Sequence, residues 1–284
     1  MQVFQLSNYE HNQFPLTAMC ANTHKGFPSH SHDFTELVVV LAGEGVHIGD
    51  GGERPFQAGD VFVIEPGAVH SYRSEEIFSI VNIMFDAARL RLPDHDVRML
   101  PGYHALFHLE PRARARGGTE SLRVDEQDRG RLESLTNALV GELKGRHPGY
   151  QSMSAALLTE LIVFLSRRVQ SVGDAAGSTE AIGKALSRIE RCFAEPLSLE
   201  DLAQEACMSV RNFQRRFKEA VGVTPFQRLL NVRIGRAKAL LRDPLLTVTE
   251  VAFMTGFHDS NYFARQFRQL VGCSPRAFRQ NTNE

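Results

Sequence analysis

Over roughly its first hundred residues the chain alternates short apolar runs with clusters of glycine, aspartate and proline. "FTELVVVLAG" (34–43) is rich in β-branched residues and ends in glycine, and "GEGVHIGDGGERPFQAGD" (43–60) carries the Gly/Asp pairs of tight turns. "DVFVIEPGAVHSY" (60–72) and "FSIVNIMF" (78–85) continue the pattern. Short strands separated by glycine turns predict an antiparallel barrel or jelly roll. From about residue 125 the period changes. Leu132, Leu135, Leu139 and Leu143 recur at steps of three and four, and after a turn at "RHPGY" (146–150) so do Leu157, Leu158, Leu161, Ile162 and Leu165. The leucine faces of these two helices either pack on the barrel or pair across a dimer axis. "SVGDAAGST" (171–179) has the composition of a flexible linker, and everything after it reads as helix.

That helical segment contains a duplication. "VRNFQRRFKEAVGVTP" (210–225) aligns with "SNYFARQFRQLVGCSP" (260–275), so that Phe213/Phe263, Arg215/Arg265, Phe217/Phe267, Val221/Val271, Gly222/Gly272 and Pro225/Pro275 coincide. Upstream, "LEDLAQEA" parallels "VTEVAFMTG", with Ala203 opposite Ala252. Each copy predicts a short helix, a turn and a longer helix. The alanine allows close approach, the phenylalanines bury one face, and the glycine caps the end before proline blocks continuation. This is the helix-turn-helix pattern, whose second helix enters the major groove of DNA. Between the copies, "PFQRLLNVRIGRAKALLRDP" predicts one helix of about 18 residues, about 27 Å long, close to the spacing of successive major grooves.

Composition adds a division of charge. The 284 residues sum to -1, but 180–284 holds 16 Lys and Arg against 11 Asp and Glu, while 1–179 holds 16 against 22. A basic module joined to an acidic one points the C-terminal part at a polyanion. No apolar run approaches the ~18 residues of a membrane span, and "MQVFQLSNYE" has no basic and apolar leader, so the expectation is a cytoplasmic protein without a membrane partner. Cys20, Cys192, Cys207 and Cys273 show neither C-x-x-C nor zinc spacing and read as reduced, semi-buried small residues.

"GFHDSNYFARQFRQLVGCSP" closely resembles the second helix-turn-helix of the AraC/XylS family of bacterial transcription regulators, and "RIGRAKALL" its linker helix. The resemblance covers about 185–280. More loosely, "HDFTELVVVLAGEGVH" and "GDVFVIEPGAVHSY" are similar to that family's sugar-sensing domain, nearest to the L-rhamnose regulators. The implied fold class is α+β: a cupin-like β-barrel (jelly roll) with two helices, then an all-α domain of two helix-turn-helix units joined by a linker helix. The expected domains are 1–170 for sensing and dimerisation, 171–179 as linker, and 180–284 for DNA binding. The resemblance implies base contacts by Arg211, Asn212, Gln214 and Arg215 in the first copy and by His258, Asp259, Asn261 and Arg265 in the second. These are side chains able to pair with base edges. Asp259 suits a helix N-cap equally well. Arg216, Lys218 and Arg268 fit phosphate or solvent. Glu250 stands where rhamnose-type regulators carry an acidic residue linked to the RNA polymerase sigma factor. The partners implied are promoter DNA, a small-molecule effector of sugar type, the sigma factor and a second copy of the chain in a homodimer.

"HSHDFTELVVVLAGEG" (30–45) holds the remaining chemistry. Strand alternation places His30, His32 and Glu36 on one face, and His70 on a partnered strand completes a set resembling the cupin metal pattern. The spacing departs from that pattern in two places: Gly26 precedes His30 by too few residues, and Pro66 and Gly67 are adjacent. Three nitrogens and a carboxylate suit a divalent transition metal. Three readings stay open: a catalytic metal site, which would make the chain a metal-dependent cupin enzyme fused to a DNA-binding module; a metal kept for structure or ligand capture; and a metal-free polar lining of a sugar pocket. The attached DNA reader favours the last, with no cofactor required. His47, Tyr72 and Asn82 fall on expected strands and would line the same cavity.

Overall fold

The structure is a computed structural model that describes residues 2–23, 26–90, 92, 96–117, 121–168, 170–172 and 176–282. The chain divides into two compact units, Met1–Gly183 and Lys184–Glu284. Of the segment expected as a linker, Ser171 and Val172 end a strand, 176–179 open a helix, and 173–175 lie outside the described residues.

The strands of the first unit are β1 (Gln2–Phe4), β2 (Leu16–Thr23), β3 (Phe27–His32), β4 (Thr35–Ala42), β5 (Glu44–Gly49), β6 (Gly52–Gln57), β7 (Asp60–Ile64), β8 (His70–Arg73), β9 (Phe78–Phe85), β10 (Ser121–Arg123) and β11 (Gln170–Val172). They form a five-stranded sheet in the order β1-β3-β8-β5-β6 and a six-stranded sheet in the order β11-β10-β7-β4-β9-β2. β4 explains why "LVVVL" is unbroken where one wet face would require alternation. Its Val38 and Val40 point between the sheets, packing with Phe56, Phe62, Ile64, Tyr72, Phe78 and Ile80. Its Leu37 and Val39 point the other way, into a second core.

Helices build that second core. α1 (Ala87–Leu90) is short, and α2 (Pro101–His104) runs through a π-helical turn (Ala105–Leu109) into α3 (Glu110–Ala115). The helices α4 (Glu126–Gly145) and α5 (Tyr150–Arg168) then lay Leu132, Leu135, Leu139, Leu158, Leu161 and Leu165 against the outer face of the six-stranded sheet, all of them buried. Of the two readings of the leucine stripes, packing on the sheet is the one these contacts fulfil. The helical segments at 87–90 and 101–115 were not foreseen, and the first falls within the hundred residues read as strands.

The second unit begins within α6 (Ala176–Arg191) and continues through α7 (Leu199–Glu205), α8 (Val210–Val221), α9 (Pro225–Leu240), α10 (Val248–Met254), α11 (Ser260–Val271) and α12 (Pro275–Thr282). Both copies of the repeat fold alike. Ser198 and Asp201 form a capping box on α7, as do Thr247 and Glu250 on α10. Phe213 and Phe217, like Phe263 and Phe267, are wholly buried, and Gly222 and Gly272 end their helices in the left-handed conformation with φ of 85° and 87°. The connecting helix α9 has 16 residues, about 24 Å at ~1.5 Å per residue, shorter than expected because Leu241 is already its C-cap. Part of its basic charge is structural. Arg228 and Arg236 bind the buried Glu190 carboxylate at 3.0 and 3.3 Å, and Arg233 donates to the carbonyls of Phe193 and Glu195. The four cysteines are free, and the expectation of semi-burial fails for two. Cys192 is buried and Cys273 half-buried, but Cys20 and Cys207 are exposed.

Candidate functional site

The histidine-bearing stretch is not one strand. His30 and His32 end β3 in the five-stranded sheet, the chain turns at Asp33 and Phe34, and Glu36 lies on β4 in the six-stranded sheet. The parity argument is therefore corrected: the residues meet because the chain crosses from one sheet to the other and the two inner faces oppose each other. The crossing is fixed by the amide of Leu6 donating to the Asp33 carboxylate at 2.8 Å and by Gly67 N–H donating to the His32 carbonyl at 2.7 Å.

Register supplies the rest. His30 pairs with His70 across β3 and β8, His47 pairs with Tyr72 across β5 and β8, and Asn82 sits opposite the inward-facing Val38. All seven residues nominated as ligand-binding thus face the space between the sheets. His30 and His70 have ring centroids 4.0 Å apart, and His47 lies 5.8 Å from His70 and 5.4 Å from Tyr72. Both ring nitrogens of His47, the Tyr72 hydroxyl and Asn82 Oδ1 are buried without a hydrogen-bond partner among the described residues. Orphaned polar atoms in a packed interior are costly unless something else satisfies them.

Electrostatics follow from burial. Burial and the charge of Arg114, with smaller contributions from His70 and Arg54, push the His47 imidazole down to about 2, so the ring is neutral. Burial pushes the Glu36 carboxyl up, but the imidazoles of His32 and His70 more than reverse this and hold it at about 2. Tyr72 is pushed well above the ordinary phenol range by burial and by Glu36.

Arg54, Glu110 and Arg114 belong to the same region and were not foreseen. Arg114 lies over the Phe62 ring at 5.0 Å, donates to the Val63 carbonyl and sits 3.3 Å from Glu110, while Arg54 donates to the Arg114 carbonyl at 2.8 Å. Two cavities of about 70 and 30 Å³ flank His47 and Arg114. α3, which carries Glu110 and Arg114, packs against β7 and so reaches this region. A larger cavity, about 610 Å³, lies on the outer face of the six-stranded sheet between Phe85, Tyr103, Phe107 and Ile162.

In the second unit, α8, α11 and the turn that leads into α11 present the nominated DNA-contacting residues. Arg211, Gln214, Arg215, His258, Asn261 and Arg265 are exposed, and Asn212 is half-buried. Arg215 is held by Glu219 at 2.9 Å and by Asn212 Oδ1 at 3.1 Å. At the same repeat position Arg265 lies over the Tyr262 ring at 5.4 Å. Asp259 caps α11, accepting from the amides of Asn261 and Tyr262 at 2.7 and 2.8 Å, so of its two readings the cap is the one observed. Glu250 is exposed, and its carboxylate accepts from the amide of Thr247 at 2.7 Å. Among the described residues, no helix is long and apolar enough to cross a membrane.

The profile of the AraC-like ligand binding domain matches residues 18–162, and that of a helix-turn-helix domain matches 202–281. Relatives span nearly the whole chain. HTH-type transcriptional activator RhaS of Escherichia fergusonii is 32% identical over 89% of this chain and 88% of its own length. RhaR of Salmonella schwarzengrund is 30% identical over 91% and 89%. RhaR of Mannheimia succiniciproducens is 26% identical over 98% and 97%. Among solved structures, the DNA-binding domain of AdpA in complex with a target DNA is 33% identical, covers 36% of this chain and 91% of its own, and superposes with a TM-score of 0.34. With a two-sheet ligand-binding domain followed by a duplicated helix-turn-helix, the chain belongs to the AraC family of ligand-responsive, DNA-binding transcriptional regulators.

Proposed function

We propose that this chain is a sugar-responsive activator that controls a sugar-utilisation operon and acts as a sensor rather than a catalyst. The observation that carries the reading is the convergence of His30, His32, Glu36, His47, His70, Tyr72 and Asn82 between the sheets, with orphaned polar atoms where a polyhydroxylated ligand would bond. The relatives named HTH-type transcriptional activators RhaR and RhaS support the direction of control, and the likeness of the barrel stretches to L-rhamnose regulators supports the effector class. In this reading residues 1–170 sense and dimerise, 171–179 link, and 180–284 bind DNA in the cytoplasm. Arg211, Asn212, Gln214 and Arg215 read one major groove. His258, Asn261 and Arg265 read the next, with Asp259 holding the helix that carries them. Glu250 touches the sigma factor of RNA polymerase. Footprinting on the DNA upstream of the neighbouring operon, with and without L-rhamnose and related sugars, tests the reading. A protected site whose occupancy changes with one sugar supports it. Absence of sequence-preferring binding at moderate salt across all sugars would sink it, and turnover of a sugar by the purified protein would replace the sensor with an enzyme.

A further inference from the structure

His32, Glu36 and His70 bring one ligand atom each within 4.8 Å of one another, and all three residues are buried. His32 Nε2 lies 3.2 Å and His70 Nε2 lies 3.4 Å from the same carboxylate oxygen, Glu36 Oε2. The opposite edge of each ring fixes its proton. His32 Nδ1 is 2.8 Å from the carbonyl of Phe34, and His70 Nδ1 is 3.3 Å from that of Ala68. A carbonyl only accepts, so in both rings Nδ1 carries the hydrogen and donates. Each Nε2 is turned to Glu36 Oε2, so the two rings and the carboxylate direct one ligand atom each at a common point.

A cation at the point of convergence satisfies all three groups, with Nδ1–H donation to backbone carbonyls as the usual outer support of a metal-bound histidine. Metal bonds of about 2.0–2.1 Å in a tetrahedral site separate neighbouring ligand atoms by roughly 3.3 Å; the two nitrogen–oxygen separations of 3.2 and 3.4 Å match that value, and all three ligand atoms lie within 4.8 Å of one another. Face stacking of His32 on Phe34 at 4.2 Å further fixes one ligand.

We infer that His32, Glu36 and His70 form a three-ligand site for a divalent first-row transition metal, which ties the five-stranded sheet to the six-stranded one and leaves a coordination position for an exogenous oxygen donor. His30 is not a ligand. Although its ring lies against His70, its nitrogens fall outside the converging group, and its Nδ1 is turned to the carbonyl of Pro28 at 2.9 Å. The inference is independent of which effector the protein senses.

The test uses the full chain, stripped with a chelator and titrated with Zn²⁺ and separately with Co²⁺. The expected result is about one ion per chain, a rise in melting temperature with Zn²⁺, and visible Co²⁺ absorption of a low-coordinate N/O site. His70→Asn and Glu36→Gln should lose at least about tenfold in metal affinity, whereas His147→Asn, at an exposed position of the same unit, should keep stoichiometry and spectrum. Wild-type protein that takes up no metal and shows no thermal response overturns the inference, as does full metal affinity retained in both His70→Asn and Glu36→Gln. The wild-type titration decides the matter even if a ligand variant fails to fold. DNA binding is not the readout, so failure here leaves the regulator reading standing.

Discussion

Arg215 and Arg265 occupy equivalent positions of the two repeats and are held by different means. Asn212 and Glu219 bracket the first with hydrogen bonds, while the face of Tyr262 supports the second. A guanidinium fixed in advance loses less freedom when it forks onto a guanine. Replacing Arg265 with Lys keeps the charge but removes the fork and the stacking, so binding should weaken by ~1–3 kcal/mol at one base position. Replacing Arg268 should instead lower affinity about evenly across sequences and reduce the salt slope by about one. Competition binding with single-base operator variants separates the two outcomes. The exposed arginines were legible because a repeat with fixed phenylalanines reveals which positions face outward. Tyr262 was not, since an aromatic residue beside two core phenylalanines reads as core. Asp259 shows the converse limit: a carboxylate at a helix start serves cap and base contact equally until its hydrogen bonds are seen.

Among the elements, the duplicated helices were visible to within a few residues because capping residue, apolar spacing and terminal glycine agree. Those signals give opposite predictions for two glycines. Gly272 takes φ of 87° at the end of α11 with nothing near a would-be Cβ, so Gly272→Ala costs only backbone strain, about 1 kcal/mol. Gly235 sits mid-helix in α9 with equally open space, and Gly235→Ala should stabilise by ~0.5–1 kcal/mol. Chemical denaturation of the full chain, followed through the transition of the C-terminal unit, checks both signs. On α10, Glu250 caps the helix and is proposed to touch the polymerase, and a single substitution can part the two. Glu250→Gln preserves the capping box with Thr247 but removes the charge. In vitro transcription should fall while operator binding stays within about twofold; equal loss of both would remove the polymerase contact. The elements that stayed hidden are those whose sequence carries a false continuity. Even spacing runs unbroken from His30 to Glu36 although the strand ends at His32, and the helical run at 101–115 is masked by Pro101, Gly102, Pro111 and a series of arginines.

At the scale of the whole molecule the account couples two units: a ligand between the sheets alters how the duplicated reader binds DNA. Such coupling is a free energy shared by both sites, so it must read the same from either side. The barrel was legible in the sequence as short strands between glycine turns, and its pocket only as scattered polar residues, because strand pairing and sheet opposition decide which of them meet. The most direct measurement is a reciprocal titration of the full chain at fixed salt. Operator affinity is measured with and without the sugar, and sugar affinity with and without operator DNA. The account predicts that one sugar changes operator affinity by about fivefold or more, that operator changes affinity for that sugar by the same factor, and that Tyr72→Phe with His47→Phe abolishes both effects while sugar-free DNA binding persists. Operator affinity unchanged by any sugar, or a sugar response retained in that double variant, would contradict it.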